Sequence, residues 1–200
     1  MPTAPLIYIN AYPGVGKLTL ARHLQHHLPN SRILDNHSLI DPVEAQRPRT
    51  SPEYSAQRAA YRRARLAEVA RDTQTTYIFT DAQTEFNECV ADYYQLSRPS
   101  EECSEGRRFY SVVLECELEE NVRRLLSPGR GEVGKGKLRD EAVLRDLSET
   151  MGQIWRFGGD NEIVVDATEK SAEEVADIVL TFVKQRHSIV AQSNTSAKKQ

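Results

Sequence analysis

The sequence predicts a three-layer α/β fold built on a five-stranded parallel sheet. Five short apolar runs alternate with segments of helical spacing. The runs are nearly continuous in hydrophobicity, as expected of strands buried on both faces. A glycine-rich turn joins the first run to the first helical segment, where a βα unit would place it. The length of 200 residues suits one such domain with a core large enough to need no staples.

Leu6 to Asn10 reads as the first strand, bounded by Pro5 and a Pro/Gly turn. Leu20, Ala21, Leu24 and Leu28 then fall at helical spacing, and Pro29 ends that helix. Residues 32–35 form the second strand, and 52–72 a long Ala/Arg-rich helix. Residues 76–81 form the third strand, with a helix from about 85 to 96 after it. The fourth strand, 109–115, centres on Val112, Val113 and Leu114. Leu118, Val122, Leu125 and Leu126 then make an apolar helical stripe. Residues 162–166 are the fifth strand. Ser171 and Glu174 form a capping box that opens a last helix, with Val175, Ile178, Val179 and Phe182 as its inner stripe.

Two stretches break the alternation. Residues 127–137 hold Gly129, Gly131, Gly134 and Gly136 and read as a loop. The polar end of the chain reads as a disordered tail over 191–200. A single domain is therefore expected over 1–190.

Composition narrows the function. A net charge of −3 gives no basis for general nucleic-acid binding. Cys89, Cys103 and Cys116 are odd in number and lack metal or disulfide spacing. No apolar run is long enough to span a bilayer, and the first residues carry no basic or apolar leader, so a cytoplasmic protein is expected.

The strongest chemical signal is Ala11-Tyr12-Pro13-Gly14-Val15-Gly16-Lys17-Leu18-Thr19. Glycines let consecutive backbone N–H groups converge on one concavity, and the following helix adds its N-terminal partial charge. Lys17 places an ammonium against terminal phosphates. Relative to G-x-x-x-x-G-K-[ST], Ala11 replaces the first glycine and Leu18 replaces the hydroxyl residue, which comes one place later as Thr19. Pro13 to Thr19 are thus the expected contacts for ATP, and Thr19 for Mg²⁺.

This loop resembles that of adenylate-kinase-type enzymes, which also delay the threonine. It is more similar still to small P-loop kinase-like proteins often labelled AAA-family ATPases or likened to chloramphenicol phosphotransferase and shikimate kinase. Three further motifs support the resemblance: Asp35-Asn36-His37, Thr80-Asp81-Ala82 and Glu119-Glu120-Asn121-Val122-Arg123-Arg124. It covers roughly residues 5–182. It implies a P-loop NTPase fold with strand order 2-3-1-4-5 and a lid at about 123–140 that closes over phosphate with arginines.

Ligands of open parallel sheets bind beyond the carboxyl ends of the strands, where Asp35 and Asp81 stand. Phosphoryl transfer needs one carboxylate for the Mg²⁺ shell and one for the acceptor proton. Asp81, ending a Walker B-like strand, is expected to serve Mg²⁺, and Asp35, beside His37, to be the base. Each would alternatively be a helix N-cap. Arg124 and Arg130 are expected to clamp phosphate, with Lys135 and Lys137 as additions. Arg58, Arg62 and Arg65 share a helix face that reads as a solvated stripe or as a site for an anionic acceptor. Trp155 and Phe157 read as core edge or ligand contact.

The function expected from these features is transfer of the γ-phosphoryl group of ATP to a small-molecule or nucleotide acceptor. The rival expectations are a regulatory NTPase and an ATP binder that has lost catalysis. The base-reading N-K-x-D motif of GTP switches is absent.

Overall fold

The structure, a computed structural model, describes residues 3–101, 103–127, 138, 140–150 and 152–197, with side chains up to 187. The elements run β1 (Leu6–Asn10), α1 (Lys17–His27), β2 (Ser31–Asp35), α2 (Asn36–Glu44), α3 (Tyr54–Arg71), β3 (Thr76–Asp81) and α4 (Glu88–Gln95). After these come β4 (Phe109–Glu115), α5 (Leu118–Leu125), α6 (Glu141–Thr150), β5 (Glu162–Asp166) and α7 (Ala172–Ala197). The sheet is parallel throughout, in the order β2-β3-β1-β4-β5.

The pleat explains the two cores. Successive side chains of a strand point to opposite faces. Ile7 and Ile9 of β1 join Ile78, Val112 and Leu114 against Leu20 and Leu24 of α1 and Val175 and Val179 of α7. Leu6 and Tyr8 join Phe79 against Leu39, Leu66 and Tyr93 of α2, α3 and α4. The helix after β1 therefore covers one face, and the helix after the neighbouring β3 covers the other. Chains leaving adjacent strands in opposite directions open a crevice at the strand ends, here between Asn10 and Asp81, which are register partners.

Several boundaries differ from the sequence expectation. Helix α2, with Pro42 inside it, was not expected. It persists because Leu39, Ile40 and Val43 are buried. Helix α6 follows the loop expected over 127–137, in a stretch given no element from the sequence, and its Leu144 packs with Val122 and Leu125. The inner stripe of α7 is Val175, Ala176, Val179, Leu180 and Val183, so Ile178 is among the exposed residues. The Ser171–Glu174 capping box forms as expected: Glu174 N donates to Ser171 Oγ and Ser171 N to Glu174 Oε2. Helix α7 continues to Ala197. A formed helix propagates without a new nucleus, and this segment holds no glycine or proline to stop it. The expected lid begins inside α5, whose last turn contains Arg123 and Arg124. Its centre, with Arg130, Lys135 and Lys137, lies outside the described residues.

At the amino ends of the strands, Arg107 is buried and donates to four carbonyls, those of Ala4, Val69, Asp72 and Thr75, at 2.6–3.1 Å. Burial lowers its pKa. Replacing it with alanine would take a charged donor from all four carbonyls, two of them in fully buried bonds, so Arg107→Ala should lower unfolding stability by about 3 kcal/mol. A urea denaturation curve with an unmoved midpoint would contradict this role.

Candidate functional site

The segment between β1 and α1 forms the expected phosphate loop. Gly14 and Gly16 take left-handed backbone angles, φ 102° and φ 108°, which L side chains rarely adopt. Gly16 is the N-cap of α1. The missing first glycine has a structural reason: Ala11 is fully buried in the α1/α7 core, and its N–H donates to Asp81 O at 3.3 Å. Lys17 Nζ lies on the rim of the loop, donating to Ala11 O at 2.7 Å and Tyr12 O at 2.9 Å.

The loop opens on a groove of about 1000 Å³ that also reaches Asp35, His37 and Thr84 on one side and Arg124, Lys170 and Ile154 on the other. A smaller groove of about 720 Å³ lies at the opposite end of the sheet, beside Arg107, Arg108 and His187. The larger groove is the candidate site because it holds the converging loop and the strand-end carboxylates together.

The two carboxylates differ in environment. Asp81 is fully buried. Oδ1 accepts from Asn36 Nδ2 at 3.0 Å, Ala82 N at 2.8 Å and Gln83 Nε2 at 3.0 Å. Oδ2 accepts from Tyr8 Oη at 3.3 Å and Cys89 Sγ at 3.4 Å. Asp35 is half-buried and receives Thr80 Oγ1 on Oδ1. Its Oδ2 has no hydrogen-bond partner among the described residues. Asp35 is the N-cap of α2 by position, but its side chain makes no capping bond. His37 Nδ1 is 3.9 Å from Asp41 Oδ1 and is buried without a hydrogen bond.

Helix α3 turns two of its arginines inward. Arg62 is buried and bonds Asp92 of α4 at 2.6 and 2.9 Å. Arg58 is half-buried and reaches Asn36 Oδ1 at 3.5 Å. Arg65 pairs with Glu68. The expected solvated stripe is thus incorrect for Arg58 and Arg62. Ala56, Ala60 and Ala67 face solvent instead, because Leu66 and Val69 set which side of the helix meets the core.

On the other side, Arg124 Nη2 donates to Ala167 O at 2.7 Å and Thr168 O at 3.0 Å, and Nη1 to Val15 O at 3.5 Å. Arg124 thus borders the loop, with its guanidinium turned to backbone carbonyls. Arg123 and Arg124 together hold the Glu120 carboxyl down at about 2. Asn121, one turn before Arg124, donates from Nδ2 to Pro13 O at 3.0 Å. Thr19 borders the groove but is exposed and makes no contact with either carboxylate. Trp155 packs on Phe86 and Phe157 at the edge of the core. Asn10, which sequence reasoning passed over, bonds both Gln83 and the Trp155 carbonyl. Its signal was a polar residue closing an otherwise apolar strand.

No cluster of three His, Cys, Asp or Glu side chains stands together among the described residues. A Mg²⁺ ion typically keeps several waters and takes only one or two carboxylates plus substrate phosphates. The loop with nearby Asp35 and Asp81 fits that mode of binding.

These features define a nucleotide-type phosphate loop on a parallel sheet of kinase topology. The chain belongs to the AAA domain family, whose model matches residues 7–145. No curated protein sequence matches it. Among solved structures, a gluconokinase from Sinorhizobium meliloti 1021 aligns over 96% of this chain and 99% of its own, with 14% identity and a TM-score of 0.61. The Mycobacterium tuberculosis APS kinase, solved with AMPPNP and APS, aligns over 92% and 99%, with 18% identity and a TM-score of 0.58. Thymidylate kinase from Candida albicans aligns over 92% and 93%, with 14% identity and a TM-score of 0.60. At these identities the likeness shows the fold, that of small P-loop kinases. No helix among the described residues is long and apolar enough to cross a membrane.

The contrast between the carboxylates is measurable. Asp81→Asn places an amide among five donors and should lower stability by about 2–4 kcal/mol. Asp35→Asn should cost less than about 1 kcal/mol. Equal shifts in urea midpoint would refute the distinction.

Burial, and secondarily the Asp81 carboxylate, push the Cys89 thiol well above its ordinary value. Thiolate is therefore scarce at pH 9, where a free cysteine is largely ionised. Iodoacetamide at that pH should leave Cys89 unmodified by mass spectrometry. Labelling at the rate of a free thiol would show that the half-buried Cys89 does not sit against the Asp81 carboxylate.

Proposed function

We propose that this chain is an ATP-dependent phosphotransferase that moves the γ-phosphoryl group of Mg-ATP to a small-molecule or nucleotide acceptor. The observation that carries the proposal is Asp35. It is a half-buried carboxylate with one uncommitted oxygen, opening on the same groove as the phosphate loop. Hydrolysis alone would need a positioned water. A carboxylate with an open oxygen, lining the same groove of about 1000 Å³ as the loop, suits a bound acceptor better.

In this reading the loop amides of residues 13–17 and the N-terminus of α1 hold the β- and γ-phosphates. Lys17 leaves the carbonyls of Ala11 and Tyr12 for the triphosphate, exchanging neutral acceptors for charged ones. Mg²⁺ would neutralise the phosphate oxygens. Thr19 and Asp81 remain the proposed residues for its shell, with Asp81 acting from behind Asn36. Asp35 accepts the proton of the acceptor hydroxyl as the new bond forms. Arg58, reaching Asn36 from α3, lies on the acceptor side, and Arg124 on the nucleotide side.

The test is transfer from [γ-³²P]ATP into nucleosides, nucleotides, sugars and metabolite extracts. Label should appear in a new compound with wild type. Lys17→Ala should weaken ATP binding at least about tenfold by calorimetry. Asp35→Asn should leave that affinity within about twofold while cutting transfer at least about 100-fold. Label that appears only as inorganic phosphate, unchanged by Asp35→Asn, would favour a hydrolysing regulatory NTPase instead.

A further inference from the structure

Helix α5 touches the phosphate loop at two peptides, through residues one turn apart and so on one face. Arg124 reaches Val15 O, and Asn121 Nδ2 holds Pro13 O at 3.0 Å. Asn121 is only 3% exposed, and its Oδ1 is buried with no hydrogen-bond partner. That oxygen rests on Gly14. A Cβ at Gly14 would stand 2.1 Å from Asn121 Oδ1, 3.0 Å from Cγ and 3.4 Å from the Asn121 carbonyl oxygen. The contrast with Gly16 is informative, since a Cβ there would meet nothing within 4 Å. Both glycines have positive φ, but only Gly14 is also closed off by a side chain.

A buried amide that satisfies one end and orphans the other is a poor way to stabilise a fold. An apolar residue of similar size would fill the space without burying an unpaired amide oxygen, at the loss of one part-buried bond to Pro13 O. The arrangement instead fixes one peptide. With Nδ2 on Pro13 O and Oδ1 over the Gly14 Cα, the Pro13–Gly14 unit has no room to rotate. Its orientation decides whether the amides that follow converge or scatter.

We propose that Asn121 is a positioning residue that preorganises the phosphate loop for the nucleotide, an inference that rests on the nucleotide-binding reading of this loop. It acts through the backbone of Pro13 and Gly14 and touches no phosphate. Positioning of this kind is felt in nucleotide affinity, because a loop already in its binding conformation loses less freedom when it binds.

The test measures stability and affinity in the same proteins. Asn121→Ala removes the orphaned oxygen along with the hydrogen bond to Pro13. Its thermal midpoint should therefore stay within a few degrees of wild type or rise. Its Kd for Mg-AMPPNP should weaken about tenfold. Asn121→Asp keeps the shape, loses the donor and sets a negative charge beside the loop, so it should weaken binding further. Gly14→Ala should bind worst, because the new methyl strikes Asn121 Oδ1. In that background Asn121→Ala should improve affinity rather than reduce it, by relieving the collision.

A lowered midpoint for Asn121→Ala with unchanged Kd would make Asn121 a structural residue and overturn the proposal. Losses that multiply in the double variant would overturn it as well. Where Gly14→Ala does not fold, the paired midpoint and Kd of Asn121→Ala still decide. Wild type that binds no nucleoside triphosphate would instead defeat the functional reading on which the inference rests.

Discussion

A carboxylate with no solvent exposure must gather its own donors, and Asp81 draws them from four parts of the chain. Tyr8 comes from β1, Asn36 from the start of α2, Ala82 and Gln83 from the turn after β3, and Cys89 from α4. Its backbone carbonyl takes the Ala11 N–H at the start of the phosphate loop. Left unpaired, such a charge would cost several kcal/mol. The elements that supply the donors are therefore held in one relative position. The carboxyl ends of β1, β2 and β3 are fixed together, and with them the loop, Asp35 and the first turn of α2. The same network burdens its members, since burial and the Asp81 charge push both the Tyr8 and Cys89 protons towards retention.

This arrangement separates a carboxylate committed to five donors from one with an open oxygen, in a way that two aspartates at two strand ends do not by themselves reveal. Asp35 and Thr80 are register partners, so Asp81 stands one residue further along β3. The pleat then turns the two carboxylates to different surroundings. Asp81 borders the groove but also reaches Tyr8 and Cys89 in the core under α4, whereas Asp35 meets the groove with one oxygen open. On the opposite wall, Asn121 and Arg124 of α5 are committed to loop and turn carbonyls. Order around the phosphate loop thus comes from both sides, by a buried acid and by a helix face.

The sheet was legible in the sequence because parallel strands buried on both faces leave unbroken apolar runs. Leu6–Asn10, Thr76–Asp81, Phe109–Glu115 and Glu162–Asp166 have the expected limits. Phosphate-loop geometry followed from Pro13, Gly14, Gly16 and Lys17, since few other structures need those residues between a strand and a helix. What escaped detection depended on tertiary context. Helix α2 is short and holds Pro42, and the burial of Leu39, Ile40 and Val43 that offsets the proline is a tertiary effect. The face of α3 was misjudged because arginines spaced along a helix look the same whether they meet water or, like Arg62, an aspartate on another helix. Arg107 gave no local signal, as its four carbonyls lie far off in the chain, at Ala4 and within residues 69–75. Asn121 stood inside a recognisable motif, but its partner lies 108 residues away.

The most direct test of the account is an amide ¹H–¹⁵N spectrum recorded while Mg-AMPPNP is added. The groove at the carboxyl ends of the strands should take the nucleotide, so the largest shifts should fall on Gly14, Gly16 and Lys17, with smaller ones at Asn121 and Asp35. Shifts confined to Arg108, Asn161 and His187 around the groove at the other end of the sheet, or none at millimolar nucleotide, would contradict it.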